Sequence, residues 1–224
     1  MPKKTGRNSI SNFQKCTVTN NEEISPGVHV ISFLRGFDFL PGQVVKITTH
    51  NNHPPRIYSI CSGNSEKEIK ILFNIKGDGF LTPKLAAMNP GEQIMVSKPY
   101  GGFLGSAEKA WLICTGTGIA PFYSMIKSGL AANKKLIHGV RCLNQFYFED
   151  EIEEILGDNY VRCCSGEKSR NTYTGRVTGY LNEIQILPYV KHFICGQALM
   201  VVEVRDMLIQ KGVQFENIMA EIYF

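Results

Sequence analysis

Six consecutive residues, Gly116-Thr117-Gly118-Ile119-Ala120-Pro121, follow an apolar stretch and open a helical one. Glycines let a backbone approach a pyrophosphate closely, and the free amides and dipole of a helix start favour its charge. Pro121 suits a first helical turn, where no donor is lost. The third glycine of the dinucleotide fingerprint is absent, so this loop alone reads equally as a phosphate site or an ordinary strand–helix turn. The next strand ends His138-Gly139-Val140-Arg141. An arginine there suits a 2′-phosphate better than a bare ribose hydroxyl. Lys168, Arg170 and Arg176 follow the third strand of this half, as a second cationic group or as a solvated basic loop.

A second constellation is Arg56-Ile57-Tyr58-Ser59. Strand alternation puts Arg56 and Tyr58 on one face. Arginine pairs with a pyrophosphate, while a tyrosine one pleat away covers an aromatic ring and Ser59 adds a small hydroxyl. The seven cysteines (16, 61, 114, 142, 163, 164 and 195) include no C-x-x-C pair and no iron–sulfur spacing. Reduced thiols in a cytoplasmic protein are the simplest expectation. Cys195-Gly196 ends an apolar strand, where α/β proteins bind ligands; an inert core thiol is the plain alternative. No metal site is expected.

Two kinds of chain must position these groups. Segments 27–34, 43–49, 69–75 and 92–98 are β-rich and separated by Pro/Gly/Asn turns, which predicts a closed antiparallel barrel. A short helix starts at Thr82-Pro83. Beyond Gly105, strands at 109–115, 135–141, 159–164, 190–195 and 217–223 alternate with helices near 119–131, 147–156, 175–184 and 197–211. That alternation predicts a parallel sheet covered on both faces. The expected division is a tail at 1–12, a barrel domain at 13–103 and an α/β domain at 104–224.

A chain of 224 residues, 43% hydrophobic and 20% charged, excludes a disordered or fibrous protein. No apolar run has the ~18 residues of a membrane span, and the N-terminus lacks a secretory apolar core. A net charge of +4 is too mild for a nucleic-acid-binding domain but suits a basic patch facing an acidic partner. Lys3, Lys4 and Arg7 are candidates for such steering.

The order of motifs is more specific than any one of them. Pro41-Gly42-Gln43, Arg56-Ile57-Tyr58-Ser59, Gly79-Phe80-Leu81-Thr82-Pro83, Pro90-Gly91-Glu92, Gly101-Gly102-Phe103, Gly116 to Pro121, Cys195-Gly196 and Glu221-Ile222-Tyr223-Phe224 together resemble the ferredoxin/flavodoxin–NADP⁺ reductases of bacterial type. The resemblance implies an FAD-binding barrel, an NADP-binding α/β domain and a ferredoxin or flavodoxin as one-electron partner. It implies that Arg56 holds the FAD pyrophosphate, Tyr58 stacks on the isoalloxazine and Ser59 lies near its N5. Phe80, Leu81 and Thr82 would serve the pyrophosphate, and Phe73, Asn74 and Ile75 would flank the ring. Thr117 would sit near the flavin, Tyr223 would cover its other face, and Phe224 would stack on the adenine. Ser59, Cys195, Glu221 and Tyr223 would surround the reacting atoms. Gly116, Thr117, Gly118, Val140, Arg141, Ser165, Lys168, Arg176, Cys195 and Gly196 would contact NADP(H).

One segment departs from that pattern. Where such reductases carry Ser-Arg, this chain reads Ser165-Gly166-Glu167. The missing arginine and the added acid keep open an NADH-dependent reductase that serves an oxygenase or free flavin. A flavin-holding electron-transfer subunit of a larger complex is a third reading.

Overall fold

The computed structural model describes residues 13–50 and 53–223. The first half forms β1 (Phe13–Ser25), β2 (Val28–Leu34), β3 (Val44–Thr48), β4 (Arg56–Ser59), β5 (Glu68–Asn74) and β6 (Gln93–Ser97). Their pairings are antiparallel, in the order β4-β3-β6-β1-β2-β5. A bridge between Ile60 and Ile71, with the Cys61 N–H donating to the Lys70 carbonyl at 2.9 Å, joins the two ends and closes the barrel. Ile31, Phe33, Val45, Ile47, Ile69, Ile71, Ile94 and Val96 fill its interior. Helix α1 (Thr82–Ala86) starts with Pro83 in its first turn, as the sequence indicates.

β1 has no clean alternation to mark it. It is polar along much of its length because it pairs with β6 early and with β2 later, with register shifts between Val18 and Asn20 and between Glu23 and Ser25. Such bulges re-aim a strand and break its two-residue period.

The second half contains β7 (Ala110–Thr115), α2 (Ala120–Lys127), β8 (Lys134–Val140), α3 (Glu149–Leu156), β9 (Tyr160–Cys164) and β10 (Tyr173–Thr174). These are followed by α4 (Val177–Glu183), β11 (Lys191–Gln197), α5 (Ala198–Gln210) and β12 (Ile218–Tyr223). The strands pair in parallel, in the order β10-β9-β8-β7-β11-β12. β7 is buried along nearly its whole length because helices cover both faces of the central strands. α2 stops at Lys127, short of the expected 131, because Gly129 takes a left-handed φ of 81° and ends the helical turn. β10 is only two residues long, too short for periodicity to reveal.

The chain order reverses between β8 and β11, on either side of β7, so the loops after β7 and β11 open a crevice at the carboxyl edge. The barrel is fastened to α2 by its 61–64 segment. The Ser124 hydroxyl donates to the Ser62 carbonyl at 2.8 Å, and the Asn64 N–H donates to the Ser128 hydroxyl at 2.9 Å. Gly63 lies so close to α2 that a Cβ there would sit 2.7 Å from the Lys127 carbonyl oxygen.

Candidate functional site

A cleft of about 1700 Å³ runs between the barrel and the carboxyl edge of the parallel sheet. A pocket for one small molecule usually occupies roughly 300–1,000 Å³, so the space suits two extended ligands side by side. β4 supplies Arg56, Tyr58 and Ser59 to the wall; Phe73 and Asn74 come from the end of β5, and Phe80, Leu81 and Thr82 from the start of α1. The opposite wall carries Gly116, Thr117, Val140, Arg141, Ser165, Arg176, Glu221 and Tyr223. Motifs separated by more than 160 residues thus meet in one crevice.

Local structure accounts for several of these placements. Tyr58 packs edge-on against Phe73, with ring centroids 6.3 Å apart, and Phe73 stacks on His29 at 5.7 Å. The Tyr58 ring is therefore braced from within the barrel. Burial pushes its hydroxyl up to about 12, against the opposing pull of Arg56. Arg56 is exposed at the rim, and among the described residues it makes no ion pair. The Thr82 hydroxyl accepts the Lys76 N–H at 2.8 Å and ties the β5–α1 loop to the helix start.

At the seam the two halves touch through polar groups. The Tyr223 hydroxyl donates to Ser59 Oγ at 2.6 Å, and the Ser59 hydroxyl donates to Glu221 Oε1 at 3.0 Å. Burial raises the Glu221 carboxyl above its ordinary range, partly offset by the Ser59 bond. Cys195 pairs with Glu221 in the sheet register and is wholly buried. Burial pushes its thiol well up, Glu221 adds to the rise, and contact with Tyr223 works against it. An uncharged thiol beside the Glu221 carboxyl group is the result, not a reactive thiolate.

Other expected residues lie around the cleft without lining it. Ile75, Gly118, Lys168, Cys195 and Gly196 are outside its wall. Gly118 and Gly196 act through close approach: a Cβ on Gly118 would come within 2.4 Å of the Cys195 carbonyl oxygen, and one on Gly196 within 2.5 Å of Thr115 Oγ1. Lys168 is exposed on the loop after β9. Phe224 and the basic residues Lys3, Lys4 and Arg7 lie outside the described residues. Glu167 also stays out of the wall, and its carboxylate accepts the Leu143 N–H at 2.7 Å. Gly166 is tight: a Cβ would lie 2.5 Å from the Arg141 carbonyl oxygen.

Gln145 and Tyr147 line the parallel-sheet side of the cleft but belong to no sequence motif, and only the chain's path after β8 brings them there. Gln145 Oε1 accepts the N–H groups of Arg141 and Cys142 at 3.2 and 3.1 Å, which shapes the loop that carries Arg141. Among the described residues no group of three metal-ligating side chains is assembled, and no helix is long and apolar enough to cross a membrane.

Comparison with known proteins agrees with this geometry. Residues 112–206 match the family described as the oxidoreductase NAD-binding domain. A ferredoxin NADP⁺ reductase from Neisseria gonorrhoeae, solved with bound FAD and NADP, superposes with a TM-score of 0.87 at 20% identity, covering 96% of this chain and all of that one. The fold is that of the ferredoxin–NADP reductases. A ferredoxin–NADP reductase of Pseudomonas aeruginosa is 35% identical over 136 residues, which cover 55% of this chain and 52% of that protein. A component chain of the Na⁺-translocating NADH-quinone reductase of Psychrobacter arcticus is 27% identical over 198 residues, covering 74% of this chain and 48% of its own. The chain spans about half the length of these curated relatives. The resemblance read from the motif order, and the barrel followed by a parallel α/β sheet, are both borne out.

Proposed function

We propose that this chain is a flavoprotein oxidoreductase that passes hydride between NADP(H) and FAD and single electrons to or from an acidic ferredoxin or flavodoxin. The observation that carries the reading is the seam itself. Tyr58 from the barrel and Tyr223 from the parallel sheet face one cleft, with Ser59 hydrogen-bonded to Glu221 between them. The residues present fit FAD: the exposed Arg56 and a helix start at Thr82 offer charge and amides to a pyrophosphate, and two aromatic rings offer faces to a flat heterocycle.

A bound flavin supplies conversion between a two-electron hydride carrier and one-electron carriers. The chain positions the rings. Tyr58, braced by Phe73, fixes one face, and Tyr223 is placed to cover the other until nicotinamide displaces it. Ser59 presents its hydroxyl at the seam, and the buried Glu221 holds or releases a proton through it. Arg141, Ser165 and Arg176 gather on the nucleotide wall and support recognition of a 2′-phosphate. Glu167 lies outside that wall, with its carboxylate accepting the Leu143 N–H. The boundary between the two functional units is placed near Phe103, and the cytoplasm is the expected compartment.

A second reading, an NADH-dependent reductase for free flavin or an oxygenase component, rests on Gly166, which leaves the nucleotide wall one arginine poorer. Anaerobic titration of the purified protein with NADPH, then NADH, then ferredoxin or flavodoxin, tests both. Bleaching by NADPH at far lower concentration than by NADH, followed by electron transfer to the carrier protein, is expected. Preferential bleaching by NADH turns the assignment to the second reading. A colourless protein that takes up no FAD overturns both.

A further inference from the structure

His138 has no part in the sites described above, yet it is wholly buried against the Gly116 end of the Gly116-to-Pro121 loop. It lies on β8, in register with Cys114 of β7 and Arg162 of β9, so the sheet holds it on the central face. Its Nε2 is 3.2 Å from the Gly116 carbonyl oxygen, and its Nδ1 is 3.2 Å from the Tyr160 hydroxyl. A carbonyl only accepts, so Nε2 carries the proton and donates it to Gly116. Nδ1 is then the acceptor, and Tyr160 donates to it. The ring is edge-on to Phe146, with centroids 5.4 Å apart, and this contact and the two hydrogen bonds hold its orientation.

The consequence lies on the other side of the peptide. Gly116 takes φ of 53°, a left-handed conformation. In a trans peptide the C=O and the following N–H point in opposite directions. With the Gly116 carbonyl drawn down to His138, the Thr117 N–H is directed up, toward the cleft that Gly116 and Thr117 both line. The first amides of a helical turn have no partner within the helix, so this donor is available to a ligand.

We propose that His138 is a positioning residue that locks the Gly116–Thr117 peptide with its amide facing the nicotinamide dinucleotide. Tyr160 selects the imidazole tautomer that makes this lock possible. The inference rests on the reading that the cleft takes such a dinucleotide, and it adds a residue that never touches the ligand.

The test uses the FAD-loaded protein. NADP⁺ affinity is measured from the flavin difference spectrum, and kcat and KM from NADPH-driven ferricyanide reduction. His138→Leu is expected to raise the NADP⁺ Kd and the NADPH KM about tenfold, with FAD content unchanged and kcat held within about twofold. His138→Gln, whose amide nitrogen can still donate to Gly116, is expected to recover affinity to within about threefold of the starting protein. Unchanged Kd in His138→Leu, or equal loss in both variants, overturns the proposal. Nitrogen NMR of the unsubstituted protein adds a measurement that no folding defect can obscure. A neutral imidazole protonated at Nε2 is expected, and protonation at Nδ1 overturns the lock. If the unsubstituted holoprotein gives no NADP⁺ difference spectrum, the reading of the cleft fails, while the NMR result still decides whether His138 makes the bond.

Discussion

Acidification should unfold this protein through its buried histidines, and the size of the effect follows from the fold. His138 and His192 are both fully inaccessible within the parallel sheet. Burial lowers each from the ordinary 6.5 to about 4, with the Gly116 carbonyl partly opposing the shift at His138. In the folded state both rings are neutral across the range in which the unfolded chain protonates them. Their contribution is therefore complete above pH 6.5 and is lost as pH falls from 6.5 toward about 4. At pH 5 linkage gives a loss of roughly 2 kcal/mol per histidine and roughly 4 for the pair. That is a large fraction of the ~5–15 kcal/mol that stabilises a typical domain. Urea unfolding followed by tryptophan fluorescence at pH 7.5, 6 and 5 measures it, since Trp111 lies 5.5 Å from His192. His138→Gln and His192→Gln should each flatten the pH dependence by about half. If both variants keep the parent's slope, the buried neutral histidines are not its source and the reasoning fails.

Glu221 should act in the opposite sense. Its carboxyl is raised by burial, so stability attributable to it is greatest at low pH and declines as pH rises through the range above 4.5; Glu221→Gln should remove that component, as seen by unfolding between pH 4.5 and 8. Ser59→Ala and Tyr223→Phe should be coupled by about 1 kcal/mol in a double-mutant cycle, because each removes the same 2.6 Å bond; additive effects would show that the bond does not join the halves in solution. Gly63→Ala should destabilise the protein by about 1–3 kcal/mol, because its Cβ would meet the Lys127 carbonyl; calorimetry would register this as a lower Tm. Arg56→Ala should release FAD on dilution, with the free flavin counted by its fluorescence, while the apoprotein keeps its circular dichroism.

The sequence by itself determined the two kinds of architecture, and its motifs mark part of the cleft wall. Period-two β-rich segments between turns indicate an antiparallel β-domain, and strand–helix alternation indicates a parallel sheet, because each pattern leaves an apolar face to bury. The Arg56-Ile57-Tyr58-Ser59 and Gly116-to-Pro121 motifs are local and short, so it is their order along the chain with the other motifs that marks them. β1 escaped because its bulges break the alternation, and β10 because two residues carry no period. Only the tertiary structure decided that Ser59 is bonded to both Tyr223 and Glu221, that Glu167 is tied to Leu143 rather than lining the cleft, and that His138 sits beneath Gly116. Those relations depend on which strands become neighbours and which side of a peptide faces down. Hydrophobic patterning sets the face of a strand but leaves the identity of the polar partner across it to the sheet order.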